Sequence, residues 1–295
     1  MADEKKIAQK VLDDLKKLKQ IQQASFEKAA TDMEKDFVLN IQSALTSMER
    51  QVKNTIKKLS STNGIVDNNA KNIAFINARM PQLRRIVKRF NTMGQDYFAD
   101  QGMETQKISQ EDFNEWSQRA EEGGIRVDAS LLNERNLISA SNQSVLLWND
   151  FTSDLADVVR TGLIRRIIGA ADKTQLIEDF ASQIPGIEKR KSNGQRFRLS
   201  AFNRAKFIVR TETTRLYAAT QDKLGRRAFG NNPFIENFNP LDARTAPVCI
   251  DATVATEVPM RRDDFIAAHG LPPRHVNCRC VVSYMPEFIA KQMGA

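Results

Sequence analysis

Residues 3–59 contain neither glycine nor proline, and no other feature restricts the fold so strongly. Apolar side chains recur at Ile7, Val11, Leu15, Leu18 and Ile21, then at Met33, Phe37, Ile41, Leu45, Met48, Val52, Ile56 and Leu59. Steps of three and four gather them on one stripe of an α-helix, with Lys, Asp, Glu and Gln on the opposite face. The run stops at "SSTNG", where Gly64 can take the left-handed conformation that ends a helix. The spacing predicts one long amphipathic helix, or two in line. Such a stripe needs a cover, either the chain's own neighbouring helices or another protein.

A second helical pattern, Ile73, Ile76, Met80, Leu83, Val87 and Phe90, contains Pro81, which predicts a kink or a helix start there. Periodicity lapses over "MGQDYFADQGMETQKIS", a predicted connection. Ser109, with Asp112 three residues on, then resembles a capping box for a helix running through Trp116 to "EEGG". Helical patterning resumes over 131–184, broken near Gly169 and closed by "IPG". Residues 1–185 are thus expected to form an elongated, almost wholly α region. The segment "GIEKRKSNGQRFR" predicts an exposed basic loop and the domain boundary. After it Ser200 can cap a helix that stops at "AFGNNP". Beyond Pro233, β-prone pieces ("PFIENF", "ATVATEV", "CVVSY") surround one short helix, "RDDFIAAHG". The expected class is mainly α: long N-terminal helices followed by a small α+β domain within 186–295.

Forty-four Lys and Arg against 36 Asp and Glu give a formal charge of +8. The excess is local: residues 186–230 hold 12 basic and 3 acidic side chains, 12 − 3 = +9. Such a concentration repels itself unless an anion compensates. Lys189, Arg190, Lys191, Arg196, Arg198, Arg204, Lys206 and Arg210 are therefore expected along a nucleic-acid backbone, against the rival readings of a solvated helix face or an acidic protein surface. Stacking aromatics are few there, so the expected contact is with double-stranded DNA without base readout. No run of eighteen apolar residues suggests a membrane span. Three cysteines and no charged-then-apolar opening segment point to synthesis in a reducing cytosol.

A small domain with a thin core usually needs a staple. Cys249, His275, Cys278 and Cys280 form the pattern C-x25-H-x2-C-x-C, four donors of the kind a closed tetrahedral zinc site uses. Plain buried thiols, or a redox or catalytic cysteine, are the alternatives. Arg244, Arg274 and Arg279 lie near these residues in sequence and are expected to favour ionised thiolates. Four protein ligands would leave no position for water. His269 reads as a helix C-terminal residue. Asp242, Asp251, Asp263 and Asp264 read as turn and cap residues. Glycine-rich phosphate loops, G-x-S-x-G, H-E-x-x-H and the zinc-deaminase pattern do not occur.

Three motifs in order carry a resemblance: R-A-x-x-I-x-R-T-E over 204–212, D-x-R-T-x-x-x-C over 242–249, and P-P-x-H-x-N-C-R-C over 272–280. Together they resemble the bacteriophage Mu F-like, or SPP1-type, minor head (head morphogenesis) proteins, over about residues 150–284. Members often carry a glycine after the first cysteine where this chain reads Cys249-Ile250-Asp251-Ala252-Thr253. The resemblance marks Arg210, Thr211, Glu212, Asp242, Arg244, Thr245 and Arg279 as motif residues. It implies a non-enzymatic virion protein made in the host cytoplasm. Such a protein sits in few copies in the capsid interior or at the portal vertex, beside portal protein, major capsid or scaffold protein, and packaged DNA. The rival functions are a zinc-containing nucleic-acid-binding protein, or an enzyme. Arg210-Thr211-Glu212 superficially resembles elements of ADP-ribosyltransferases.

Overall fold

The structure, a computed structural model, describes residues 2–124, 201–275 and 277–295, the backbone of 188–190 and 196–198, and the single positions Thr152, Asp172 and Thr174. The helical pattern expected over 131–184 lies, those positions apart, outside the described residues.

Helix α1 spans Ala2–Lys57 without interruption. Its buried face steps through Leu15, Lys19, Gln22, Phe26, Ala30, Met33, Phe37 and Ile41, then Met48, Val52 and Ile56. The stripe is not wholly apolar, because Lys19, Gln22 and Gln23 are buried while Ile21 is 65% exposed. Polar partners explain the exchange: Gln22 Nε2 donates to the Asp112 carbonyl at 2.8 Å and to Glu115 Oε2 at 3.2 Å. The "SSTNG" segment is a hairpin, β1 (Ser61–Thr62) against β2 (Ile65–Val66), rather than a helix cap. Asn63 and Gly64, at φ 50° and 82°, supply the two left-handed positions that a two-residue hairpin turn requires.

Helix α2 spans Ala70–Glu122, so Pro81 does not start a helix and residues 93–109 are not a connection. The stripe continues through that stretch on small or polar residues, Gly94, Gly102, Thr105 and Ser109, all buried. Ser109 is therefore a mid-helix contact and not a cap: Gln221 Nε2 donates to its carbonyl at 2.8 Å and to its hydroxyl at 3.0 Å.

The basic segment forms a hairpin, β3 (Glu188–Arg190) with β4 (Arg196–Arg198), instead of a loop. Helix α3 follows over Ala201–Phe229 and stops at Gly230, φ 92°. Strand β5 (Phe234–Phe238) is the centre of a three-stranded antiparallel sheet, between β6 (Met260–Arg261) and β7 (Val281–Met285). Helix α4 (Pro247–Ala255) takes in the first four residues of "ATVATEV", expected to be β-prone. Pro247 in its first turn is preorganised for a helix, and Ala252 is small enough to pack against Ile235, Phe265, Val282 and Tyr284. Cys249 and Ala252 thus lie on one helix. Helices α5 (Arg262–His269) and α6 (Glu287–Gln292) complete the described elements, and His269 closes α5 ahead of Gly270.

The chain divides into two compact units. The first comprises Met1–Met33, Ala99–Ser144 and Val209–Ala295, and the second Glu34–Phe98 and Val145–Ile208. In the second, Phe37 packs on Tyr97 with ring centroids 4.3 Å apart. The buried Asn72 amide ties the hairpin to α2, accepting from Ser60 N at 2.9 Å and donating to the Ser60 and Asp67 carbonyls. In the first unit, Phe26 meets Tyr217 at 4.1 Å, and Leu15, Trp116, Phe234, Met285 and Ile289 share one core. Between residues 208 and 225 α3 is buried on every side, with only Arg215, Ala219 and Lys223 partly exposed. At Gly225 a Cβ would stand 2.2 Å from Tyr284 Cγ, so this close approach of helix and sheet requires glycine.

Candidate metal centre

Cys249 lies in the first turn of α4, while Cys278 and Cys280 lead into β7. A turn closed by Cys278 N to the His275 carbonyl at 3.2 Å brings the later segment round. Asn277, at φ 66°, sits in that turn, and its N–H donates to Thr211 Oγ1 at 3.0 Å. Thr214 Oγ1 donates to the Cys278 carbonyl at 2.9 Å. Polar side chains of α3 thus hold the backbone from which the cysteines project.

All three cysteines are 0% exposed, and their sulfurs lie within 4.8 Å of one another. Three buried thiols so placed can hold a metal ion. Two sulfurs bound at about 2.3 Å to a tetrahedral ion stand about 3.8 Å apart, and Cys249 Sγ and Cys278 Sγ are 3.7 Å apart. His275 Nε2 is 3.1 Å from Cys249 Sγ, but the donors that all lie within 4.8 Å of one another are the three cysteines, without the histidine. The thiols share their protons unequally. Hydrogen bonds from Cys249 and then Cys280 hold the Cys278 thiol far below its ordinary range, and Cys249 is pushed up because its proton is engaged with Cys278.

The three arginines expected to polarise the thiols face elsewhere. Arg279 binds Asp242 and Glu27. Arg244 binds Asp242 with Nη2 at 2.8 Å. Arg274 Nε donates to the His269 and Gly270 carbonyls, and its guanidinium lies 5.1 Å from the Phe265 ring centre. Asp242 is a turn residue, its Oδ1 accepting from Arg244 N at 2.9 Å. Its carboxyl is held well below the usual range, chiefly by Arg279 and then by Arg244.

The motif residues thus surround the cysteines as a scaffold. Arg210 is 4% exposed, its Nη1 donating to the Glu27 carbonyl and to Thr31 Oγ1, both at 3.1 Å. This corrects its expected place on a nucleic-acid face: its donors are used inside the fold. Glu212 is 0% exposed, paired with Arg215 through Oε1, while Oε2 has no hydrogen-bond partner among the described residues. Burial pushes its carboxyl up to about 7, against the pull of Arg215. Thr245 Oγ1 donates to Asn239 Oδ1 at 2.8 Å.

Of the other basic residues, Lys206 pairs with Glu34 at 2.9 Å and is 44% exposed. Arg204 lies in α3. Lys189, Arg190, Arg196 and Arg198 belong to the β3–β4 hairpin, whose register sets Arg190 opposite Arg196. Lys191 lies outside the described residues. The sequence reading missed Asn239 and Thr214. "NFNPLD" reads only as a turn, and a threonine in a helix gives no sign of the carbonyl it will meet. Comparison with known protein families, with curated protein sequences and with solved structures finds no match to this chain.

Proposed function

We propose that the chain is a structural and binding protein of a phage head, a minor capsid protein of the head-morphogenesis type. In this reading Cys249, His275, Cys278 and Cys280 hold one zinc ion that fixes the α+β part of the chain. The basic hairpin lies along packaged DNA, and the long helices dock on portal, capsid or scaffold protein. The observation that carries the reading is the meeting of three buried sulfurs with a histidine at 3.1 Å from one of them. Four soft or borderline donors match zinc in number and kind, and such a closed set supplies folding free energy while leaving no position for water. The opposed arginines of the hairpin favour an anionic partner, because like charges set directly across an antiparallel pair are destabilising.

Elemental analysis of the purified protein, with a melting curve before and after chelation, tests the metal. About one equivalent of zinc is expected, lost together with folding on Cys278→Ser; metal-free protein with unchanged melting overturns the staple. Co-purification with the portal protein tests the location, and turnover of NAD by the purified chain would replace this reading with the enzymatic one.

A further inference from the structure

One sulfur of the cluster receives a hydrogen bond from a side chain that is not itself a candidate ligand. Asn239, just beyond β5, donates from Nδ2 to Cys280 Sγ at 3.0 Å. Its Oδ1 accepts from the Leu241 N–H at 3.0 Å and from the Thr245 hydroxyl at 2.8 Å. The Leu241 N–H can only donate, so the amide oxygen must face it and the NH2 group must face sulfur.

We propose that Asn239 is a positioning residue of the metal centre, fixing the Cys280 side chain and drawing charge from its thiolate. The proposal rests on the reading of the cysteine cluster as a metal site. Three thiolates and a neutral imidazole around a divalent ion leave one net negative charge in a buried place, which is costly unless nearby donors spread it. Asn239 brings such a donor from outside the ligand-bearing segments, held by two contacts of its own. Partners of this kind change metal affinity by about 10- to 100-fold when removed.

Two variants separate the donor from the loop it sits in. Asn239→Asp keeps an oxygen for Leu241 and Thr245 but sets an acceptor against sulfur; Thr245→Val loosens the loop and keeps the donor. Each is loaded with cobalt(II), and the sulfur-to-cobalt charge-transfer band is recorded together with affinity by chelator competition. N239D is expected to shift that band to lower energy and weaken binding about 10- to 100-fold, while T245V stays within a few-fold of wild type. Asn239→Ala, which adds no charge, is the second arm should N239D fail to fold, and the same band shift is expected there. Wild-type band position and affinity in N239D, or equal damage from T245V, overturns the proposal. A wild-type protein that gives no tetrahedral cobalt spectrum overturns the metal reading itself, and the proposal with it.

Discussion

Arg279, set in sequence between two buried sulfurs, turns its guanidinium away from them and grips Asp242 with both Nη atoms, Nη1 reaching Oδ2 at 2.8 Å. The grip ties the turn that precedes Cys249 to the strand entry that carries Cys278 and Cys280. An ion pair therefore aligns the two segments that carry the cysteines.

Arg279→Lys keeps the charge and loses the fork. Arg279 is buried but Asp242 is exposed to water, so the expected loss is smaller than for a fully buried pair broken on one side. Urea unfolding of R279K, D242N and the double variant measures it. The double variant should cost less than the sum of the two single changes, and strict additivity would show that the pair does not couple.

Gly225→Ala sets two effects against each other. Alanine gains up to about 1 kcal/mol of helix propensity. The added methyl, however, meets a ring that cannot retreat, because Tyr284 Oη donates to Asp222 Oδ1 at 2.9 Å. Overpacking of this severity costs about 3 kcal/mol, so a net fall in the denaturation midpoint is expected.

Glu212 makes stability depend on pH. Its folded pKa of about 7 lies above its ordinary 4.5, so the folded chain binds the extra proton between those values and stability falls as pH rises through that window. Glu212→Gln is expected to gain on the order of 2–3 kcal/mol over wild type at pH 8. The gain should shrink towards pH 4.5. Paired urea midpoints at pH 5 and pH 8 check the sign, and a gap that is constant with pH would assign the effect to packing.

If the β3–β4 hairpin lies along DNA, replacing Arg190 and Arg196 with Gln removes two phosphate contacts. The slope of log affinity against log salt concentration should then fall by about 2, with the same loss for unrelated DNA sequences. Titration of labelled duplex at several salt concentrations reads both quantities.

The helical half of this fold was legible where core positions are apolar and ambiguous where they are not. Ile76, Met80, Leu83, Val87 and Phe90 announced α2, yet Gly94, Gly102, Thr105 and Ser109 continue the same stripe and read as a break, since small residues carry no hydrophobic signal. The segment "ATVATEV", with Val254 and Val258, suggested a strand, but a proline at the helix start and an alanine packed on the sheet decided for α4 over its first four residues. The cysteines and His275 were found by spacing alone, because few donor types bind metals. Their supports, Thr214 and Asn239, were not, because each acts through a single hydrogen bond that only the tertiary arrangement creates. Arg210 shows the converse: counted as surface charge, it is a buried partner of Glu27.

Helix α3, enclosed on every side from residue 208 to residue 225, bears on how such a chain can change over time. Substitutions accumulate most easily where a side chain meets only water, and this helix offers almost no such position. Each exchange there must satisfy a neighbouring helix, the sheet or the backbone behind the cysteines. While exposed faces of α1 and α2 drift freely, α3 is expected to stay readable, so a distant relative would be sought first through residues 208–225.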